Sequence, residues 1–182
     1  MQQLKALRDV ASGLNFLHGL GYVHMDVKPA NFLLEGDLDR EHLVKGRVSD
    51  FGFSVKKGSI FPGGTVLYLP NEVFLQRKEI KEVYFNSGYK VNEKIDSFCL
   101  GVTMLEIVSG VVPKSPLGWL SPSELTLEIL WYKNYIMATY PKCEALIKLA
   151  ILDIAKDLLK YNSNERINCN QVVDHLKDLR FK

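Results

Sequence analysis

The sequence predicts a mainly α-helical domain with one short β-hairpin. Two observations support this fold class. Apolar residues recur at steps of three and four over long stretches, as they do on one face of an α-helix, and only two short segments have the composition of strands. The chain has 182 residues, of which 47% are apolar, which is enough to bury one core. No repeat or linker-like stretch divides it, so we treat residues 1–182 as one domain.

Helices are expected in an N-terminal, a central and a C-terminal part of the chain. The first covers residues 3–18, where apolar residues follow a helical spacing. The central helix, 94–110, is apolar on all sides, which is typical of a helix buried in the middle of a domain. The C-terminal helices lie within 144–182, with apolar faces over 144–160 and 171–179. Helices therefore account for most of the expected core.

The strand signals are few and short. Residues 32–34 and 47–49 are the two candidates, and the charged segment 35–46 between them reads as a surface loop. The segment 65–94 is richer in Gly, Asn, Pro and charge. It is predicted to be an ordered loop with at most one short helix near 72–82.

Charge and cysteine content exclude several classes of protein. The 23 Lys and Arg against 21 Asp and Glu give a net charge of +2, which provides no electrostatic footprint for nucleic acid or an anionic membrane. Cys99, Cys143 and Cys169 are far apart, which argues against a disulfide framework and a zinc cluster. Neither a membrane-spanning stretch nor a signal peptide is evident. We therefore expect a cytoplasmic or nuclear protein with no nucleic-acid or membrane partner.

The string H-M-D-V-K-P-A-N at residues 24–31 places a carboxylate, an ammonium group and an amide in one loop before a strand. Phosphoryl transfer needs groups of these kinds: an acceptor for the hydroxyl proton, a fixed positive charge for the phosphoryl group and a hard oxygen ligand for the metal. Asp26, Lys28 and Asn31 supply one each. The loop therefore has the composition of a phosphoryl-transfer site.

A second motif, D-F-G at residues 50–52, directly follows the second predicted strand. Asp50 offers another oxygen ligand, and Gly52 permits a sharp turn. In this order, the two motifs resemble the H-R-D-x-K-P-x-x-N and D-F-G signatures of protein kinases. The resemblance implies a kinase-like helical lobe with a catalytic loop at 24–31.

The resemblance extends through most of the chain. G-T-V-L-Y-L-P-N-E at 64–72 looks like the G-T-x-x-Y-x-A-P-E end of a kinase activation segment, which would then span 50–72. Asp96 resembles the aspartate that opens the central helix of kinases. By the same similarity, Glu72 and Arg166 should form a buried ion pair that holds the activation segment on the helical lobe.

The resemblance implies ATP and Mg²⁺ as cofactors and a protein hydroxyl as the acceptor. Asp26 would orient the hydroxyl and accept its proton, Lys28 would neutralise the phosphoryl group, and Thr65 would support both. The implied residues are Asp26, Lys28 and Thr65 as catalytic, Asn31, Asp50 and Gly52 as cofactor-binding, Asn31 and Asp50 as metal ligands, and His24, Glu72, Asp96 and Arg166 as structural. The other histidines, among them His18, stand isolated and are given no catalytic role.

The sequence contains no glycine-rich phosphate loop and no V-A-I-K lysine. We therefore expect a kinase C-terminal lobe without its N-terminal lobe, and a chain that alone is weakly active or inactive, because losing one preorganised donor costs about 3–4 kcal/mol in the barrier. An N-terminal lobe or a regulatory partner would cover the apolar upper face around Phe32, Leu33 and Leu34. A non-catalytic interaction module and a truncated kinase fragment are the alternatives.

The substrate class is open between two resemblances. Lys28 with Thr65 resembles serine/threonine kinases, which predicts protein Ser/Thr hydroxyls as acceptors. H-M-D with L-x-N-E, together with Gly118 and Trp119, is similar to the Wee family, which phosphorylates a cyclin-dependent kinase on tyrosine. Met25 stands where many kinases have arginine, so activation by phosphorylation is not expected.

Overall fold

A computed structural model describes residues 2–36, 44–77 and 82–179. In chain order its elements are α1 (Gln2–Gly19), β1 (Tyr22–Val23), β2 (Phe32–Glu35), β3 (Lys45–Val48), β4 (Val55–Lys56), β5 (Phe74–Arg77), β6 (Glu82–Phe85), α2 (Lys94–Ser109), α3 (Pro122–Thr139), α4 (Lys142–Leu158) and α5 (Cys169–Asp178). The predicted fold class, mainly helical with short strands, is confirmed. Within these ranges, no helix has the length and apolar character needed to cross a bilayer.

The central helix α2 forms the middle of the core. Its side chains are buried on every side, as its all-round apolar composition predicts. Helix α4 packs along α2, while α1 packs against α5 and β3. Gly110 ends α2 in a left-handed conformation with φ of 72°, and its N–H donates to the carbonyl of Glu106. The loop at residues 24–31 is held against this buried helix through Asp96.

The strands in the described part of the chain form three two-stranded antiparallel sheets. β2 pairs with β3, with Phe32 opposite Val48, which agrees with the predicted hairpin. Residues 37–43 of its connecting loop lie outside the described residues. β1 pairs with β4 and was not predicted, because strands of two residues carry no periodic signal.

The segment 65–94 differs from the prediction of a loop with one helix near 72–82, of which residues 78–81 lie outside the described residues. It contains the antiparallel hairpin β5–β6, with Phe74 opposite Phe85. The two rings stack at 5.6 Å, and Phe61 lies 5.4 Å from Phe85. Cross-strand aromatic pairs stabilise such hairpins, and the contact with Phe61 is too distant in sequence to appear as local periodicity.

Helix α3 has no counterpart among the predicted elements. Its buried face carries Leu125, Tyr132 and Ile136. Its exposed face carries Leu127, Leu130, Trp131 and Met137. Because both faces are apolar, the sequence shows no one-sided helical pattern here.

Gly118 leaves no room for a side chain. A Cβ atom at this position would lie 2.2 Å from the carbonyl oxygen of Leu69, which is backbone and cannot move aside. We expect Gly118→Ala to lower the free energy of unfolding by about 1–3 kcal/mol in urea denaturation, as overpacking does. Gly88→Ala is the control, because its Cβ would meet only Asn86 Oδ1, at 3.7 Å. Equal losses in the two variants would contradict this reading.

Candidate active site

The loop between β1 and β2 is fixed at its start by a carboxylate of α2. Asp96 is fully buried and accepts the backbone N–H groups of His24 at 2.7 Å and Met25 at 2.8 Å. Its Oδ2 also lies 2.8 Å from Nε2 of His18. Met25 has a φ of 73°, which side-chain-bearing residues rarely adopt. The two hydrogen bonds to Asp96 hold this strained turn in place.

Asp26 is contacted by three of the predicted site residues. Thr65 Oγ1 donates to its Oδ1 at 2.5 Å, and Asn31 Nδ2 donates to its Oδ2 at 3.0 Å. Lys28 Nζ lies 2.8 Å from the same Oδ2 and also donates to Thr65 Oγ1 at 2.8 Å. A carboxylate, an ammonium group, a hydroxyl and an amide are therefore joined in one hydrogen-bonded group.

The contacts around Asp26 set its charge. Burial raises the pKa of Asp26, but the hydrogen bonds from Lys28, Thr65 and Asn31 outweigh burial and hold the pKa below its usual range. The group is therefore an ionised carboxylate at neutral pH. A carboxylate with a lowered pKa is a weak base, so its main contribution before proton transfer is to orient a hydroxyl.

The lowered pKa of Asp26 predicts how stability depends on pH. A carboxyl whose pKa is depressed on folding stabilises the fold above its unfolded pKa, and this stabilisation is lost as the pH falls through the folded pKa. The contribution should be complete well above about pH 4 and disappear below it. Thermal unfolding of the wild type and of Asp26→Asn from about pH 7 to about pH 2 measures it. A difference between the two that does not shrink in acid would contradict the assignment.

His24 joins the catalytic loop to the D-F-G motif. Its Nδ1 accepts the backbone N–H of Asp26 at 3.3 Å, and its Nε2 lies 3.0 Å from the carbonyl oxygen of Ser49. This pattern assigns the proton to Nε2, because a carbonyl can only accept. The ring also packs 5.2 Å from the ring of Phe51. The imidazole therefore braces two backbone segments.

Asn31 and Asp50 lie at the same end of the β2–β3 hairpin. Ser49 donates both its N–H and its hydroxyl to the carbonyl oxygen of Asn31, each at 2.9 Å. Asp50 is exposed, with φ of 59°, and its Oδ1 accepts the N–H of Gly52 at 3.3 Å. Because Asn31 uses its amide nitrogen for Asp26, its amide oxygen is the atom that could bind a cation.

This donor set fits a magnesium ion. A carboxylate and an amide oxygen are hard ligands, and Mg²⁺ is usually held by one or two such groups together with phosphate oxygens and water. In the described ranges, no group of three or more His, Cys, Asp or Glu residues could hold a metal ion. The two oxygen donors fit a metal ion whose remaining ligands are phosphate oxygens and water.

The expected ion pair between Glu72 and Arg166 is present. Arg166 donates through Nη1 to Glu72 Oε1 at 2.5 Å and through Nη2 to Oε2 at 2.8 Å. Its guanidinium also donates to the carbonyl oxygens of Lys160 and Tyr161 and to Asn71 Oδ1. The pair connects the end of the segment that carries Thr65 to the helical core.

Two further contacts hold the site and were missed from the sequence. His18 contacts Asp96, a structural contact that the sequence does not indicate, and Tyr68 donates its hydroxyl to Glu106 Oε2 at 2.6 Å. Burial and Glu106 raise the pKa of Tyr68, so the phenol stays protonated. Both pairs join residues that are far apart in the chain, and no local motif indicates them.

A model of the protein kinase domain matches residues 2–176. The chain belongs to the protein kinase family. The match spans the catalytic loop, the D-F-G motif and the Glu72–Arg166 pair. The match does not test the expectation about the N-terminal lobe, which stays a prediction.

Individual relatives of this kinase chain agree with the family. It is 27% identical to mitogen-activated protein kinase kinase kinase 17 of Arabidopsis thaliana over 94% of the chain and 41% of the relative. It is 27% identical to Aurora kinase C of Mus musculus, over 93% of the chain and 52% of the relative. It is 29% identical to serine/threonine-protein kinase ULK3 of Xenopus laevis, over 93% and 32%. The chain thus spans about half or less of the length of these relatives. None of the three is named as a Wee-type enzyme, so the similarity to the Wee family stays a prediction.

The upper face of the kinase chain is apolar and open. Leu33 and Leu34 are 54% and 59% exposed and, as successive residues of a strand, project to its opposite faces. On the face of Leu34 lies a cavity of about 400 Å³ lined by residues of α1, β2 and α2, including Leu7, Phe32 and Ile107. An exposed apolar surface of this kind is typical of a face that another structure covers.

Proposed function

We propose that this kinase chain forms the acceptor side of a phosphotransferase that moves the γ-phosphoryl group of ATP to a Ser or Thr hydroxyl of a protein. In this proposal an N-terminal lobe covers the open face around Leu33 and Leu34. The observation that carries the proposal is the contact of Asp26 with Lys28, Thr65 and Asn31, because it joins the groups needed to orient a hydroxyl and to bind phosphate.

Each residue has one task in this proposal. Asp26 orients the acceptor hydroxyl and takes its proton, while Lys28, at 2.8 Å, places a positive charge beside the phosphoryl oxygens. Thr65 fixes the positions of the Asp26 and Lys28 side chains relative to each other. Asn31 and Asp50 would bind the metal. Bound Mg²⁺ and ATP would supply the transferable group and neutralise the phosphate charge.

Serine and threonine are the proposed acceptors because of Thr65. Its hydroxyl bridges Asp26 and Lys28, at 2.5 and 2.8 Å, and this pairing of lysine and threonine resembles serine/threonine kinases. One relative is itself named a serine/threonine-protein kinase. A Wee-type enzyme would instead modify tyrosine, which makes the acceptor a direct experimental question.

The first test is a transfer assay on the protein expressed from its full reading frame, including any residues encoded before Met1. With radiolabelled ATP, Mg²⁺ and a mixture of casein and myelin basic protein, we expect phosphoserine and phosphothreonine on the acceptors. Asp50→Ala should abolish this labelling, and Asp153→Ala, which removes a carboxylate that is 71% exposed, should not. Phosphotyrosine alone would overturn the Ser/Thr assignment and favour the Wee-type alternative.

A second test separates nucleotide binding from transfer. Mg-ATP at about 100 times its Kd should stabilise the protein by about 2.7 kcal/mol, seen as a higher Tm, and Asp50→Ala should remove the shift. A folded protein that shows neither a shift nor transfer would contradict the proposal and favour a non-catalytic interaction module.

A further inference from the structure

The activation segment, residues 50–72, is bound on two sides between the D-F-G motif and Thr65. On one side, β4 pairs with β1, which leads directly into the catalytic loop. On the other side, residues 58–61 run antiparallel to residues 89–91. The second contact comes from the stretch between the β5–β6 hairpin and α2, where the sequence predicted only a loop.

The second contact is a backbone ladder. Gly58 donates its N–H to the carbonyl of Val91 at 2.7 Å, and Val91 donates its N–H to the carbonyl of Ser59 at 3.0 Å. Phe61 donates to the carbonyl of Tyr89 at 3.1 Å. Val91 is 1% exposed, so the ladder is anchored in the core at that residue.

Side chains join the same two stretches. Lys57 Nζ lies 2.7 Å from Glu93 Oε2, and these side chains are 45% and 28% exposed. Burial raises the pKa of Glu93, but the hydrogen bond and charge of Lys57, together with a backbone hydrogen bond, outweigh burial and lower the pKa. Phe61 is 8% exposed and packs 5.4 Å from Phe85 at the end of the hairpin.

Position 25, beside Asp26 in the catalytic loop, carries no arginine that could pair with a phosphate on this segment. Phosphorylation usually orders such a segment because the phosphate pairs with arginine side chains. Met25, beside Asp26 in the catalytic loop, is fully buried and carries no charge. The contacts that the structure shows on this segment are the backbone ladder and the Lys57–Glu93 ion pair.

We propose that residues 89–93 are a built-in positioning strand that holds the activation segment, and through it Thr65, in place without phosphorylation. The catalytic role of Thr65 rests on the proposed function. The order of the activation segment does not rest on that function, and this order can be measured without catalytic turnover. Lys57 and Glu93 are positioning residues in this arrangement, because they act on Thr65 only through the backbone of residues 58–64, which links Lys57 to Thr65.

The experiment is hydrogen exchange measured by mass spectrometry on the protein after phosphatase treatment, with its unphosphorylated state checked by intact mass. We expect the peptide that contains Gly58 and Phe61 and the peptide that contains Val91 to exchange at least about tenfold more slowly than the same synthetic peptides. Exchange as fast as in the synthetic peptides, or slow exchange only in a phosphorylated sample, would overturn the proposal.

A charge swap distinguishes a specific effect of the positioning strand on the activation segment from the general stability of the fold. Lys57→Glu should speed exchange of the peptide with Gly58 about twofold to fivefold, with Tm nearly unchanged, because it places two carboxylates together. The combined variant Lys57→Glu with Glu93→Lys should restore slow exchange. Lys56→Glu is the matched control, since it makes the same charge change one residue away. No difference between Lys57→Glu and the control, or no rescue by the swap, would contradict the inference.

The two proposals fail in different ways. Slow exchange in a protein that shows no transfer activity would support the positioning strand and contradict the proposed function. Rapid exchange in an active, unphosphorylated enzyme would overturn the positioning strand and leave the proposed function intact.

Discussion

Replacing Glu72 by alanine is expected to lower the free energy of unfolding by about 3–5 kcal/mol, the usual cost of removing one partner from a buried ion pair. The side chain of Arg166 is 0% exposed and that of Glu72 is 16% exposed, so solvent cannot replace the lost carboxylate. The remaining acceptors are neutral, among them the carbonyl of Lys160 and Asn71 Oδ1. Because domains are stable by only about 5–15 kcal/mol, this loss is a large share of the total.

Urea denaturation of purified variants measures the effect of Glu72→Ala. Glu35→Ala is the matched control, because Glu35 also contacts an arginine, Arg47, at 2.5 Å, but both side chains are more than half exposed. Glu72→Gln keeps the acceptor oxygen and should lose less than Glu72→Ala, which gives a reading even where alanine prevents folding. An equal effect of Glu35→Ala and Glu72→Ala would show that burial does not determine how much the Glu72–Arg166 ion pair contributes to the free energy of unfolding.

The parts of the site that could be predicted are those whose residues are close in sequence. Asp26, Lys28 and Asn31 lie within one loop, and their contacts require only a tight turn. The β2–β3 hairpin follows from two short segments with strand composition on either side of a charged loop, and it places Asn31 near Asp50. The central helix was predictable because a helix buried on all sides must be apolar on all sides.

The parts that could not be predicted depend on contacts between distant residues. The β5–β6 hairpin has strands of four residues each, and the charged sequence over 76–82 is typical of a solvated helix face. It is stabilised by Phe61, which belongs to the activation segment. His18 likewise meets Asp96 only because α1 and α2 cross in the fold, so nothing around His18 in the sequence indicates its role.

Asn71 shows how a departure from the family pattern can be accommodated. Kinases commonly have proline at this position, in A-P-E, whereas this chain has asparagine. The asparagine Oδ1 accepts a hydrogen bond from Arg166 Nη2 at 3.2 Å. It therefore adds an acceptor to the ion pair with Glu72 where proline would offer no side-chain hydrogen bond.

The largest expected effect on activity comes from Asp26→Asn, which should lower kcat about 10²-fold to 10⁴-fold in the enzyme expressed from its full reading frame. An amide cannot take the proton of the acceptor hydroxyl. The substitution also replaces one carboxylate oxygen by an NH2 group, which is a hydrogen-bond donor. Thr65, Lys28 and Asn31 all donate to this side chain, so the new donor has no acceptor among them. The KM for ATP should stay close to the wild-type value, because neither proposed metal ligand has been replaced.

Steady-state kinetics with the radiolabelled transfer assay separate the two constants for Asp26→Asn. Asp153→Asn is the control, since it makes the same chemical change on an exposed carboxylate of α4 that contacts only Lys156, at 3.3 Å, among the ion pairs described. A loss of kcat below tenfold would mean that Asp26 is a structural carboxylate. An increase in KM for ATP at unchanged kcat would place it in nucleotide binding instead. Only a selective fall in kcat agrees with a group that acts on the acceptor hydroxyl in the transition state, because an interaction made there and not in the ground state changes kcat without changing KM.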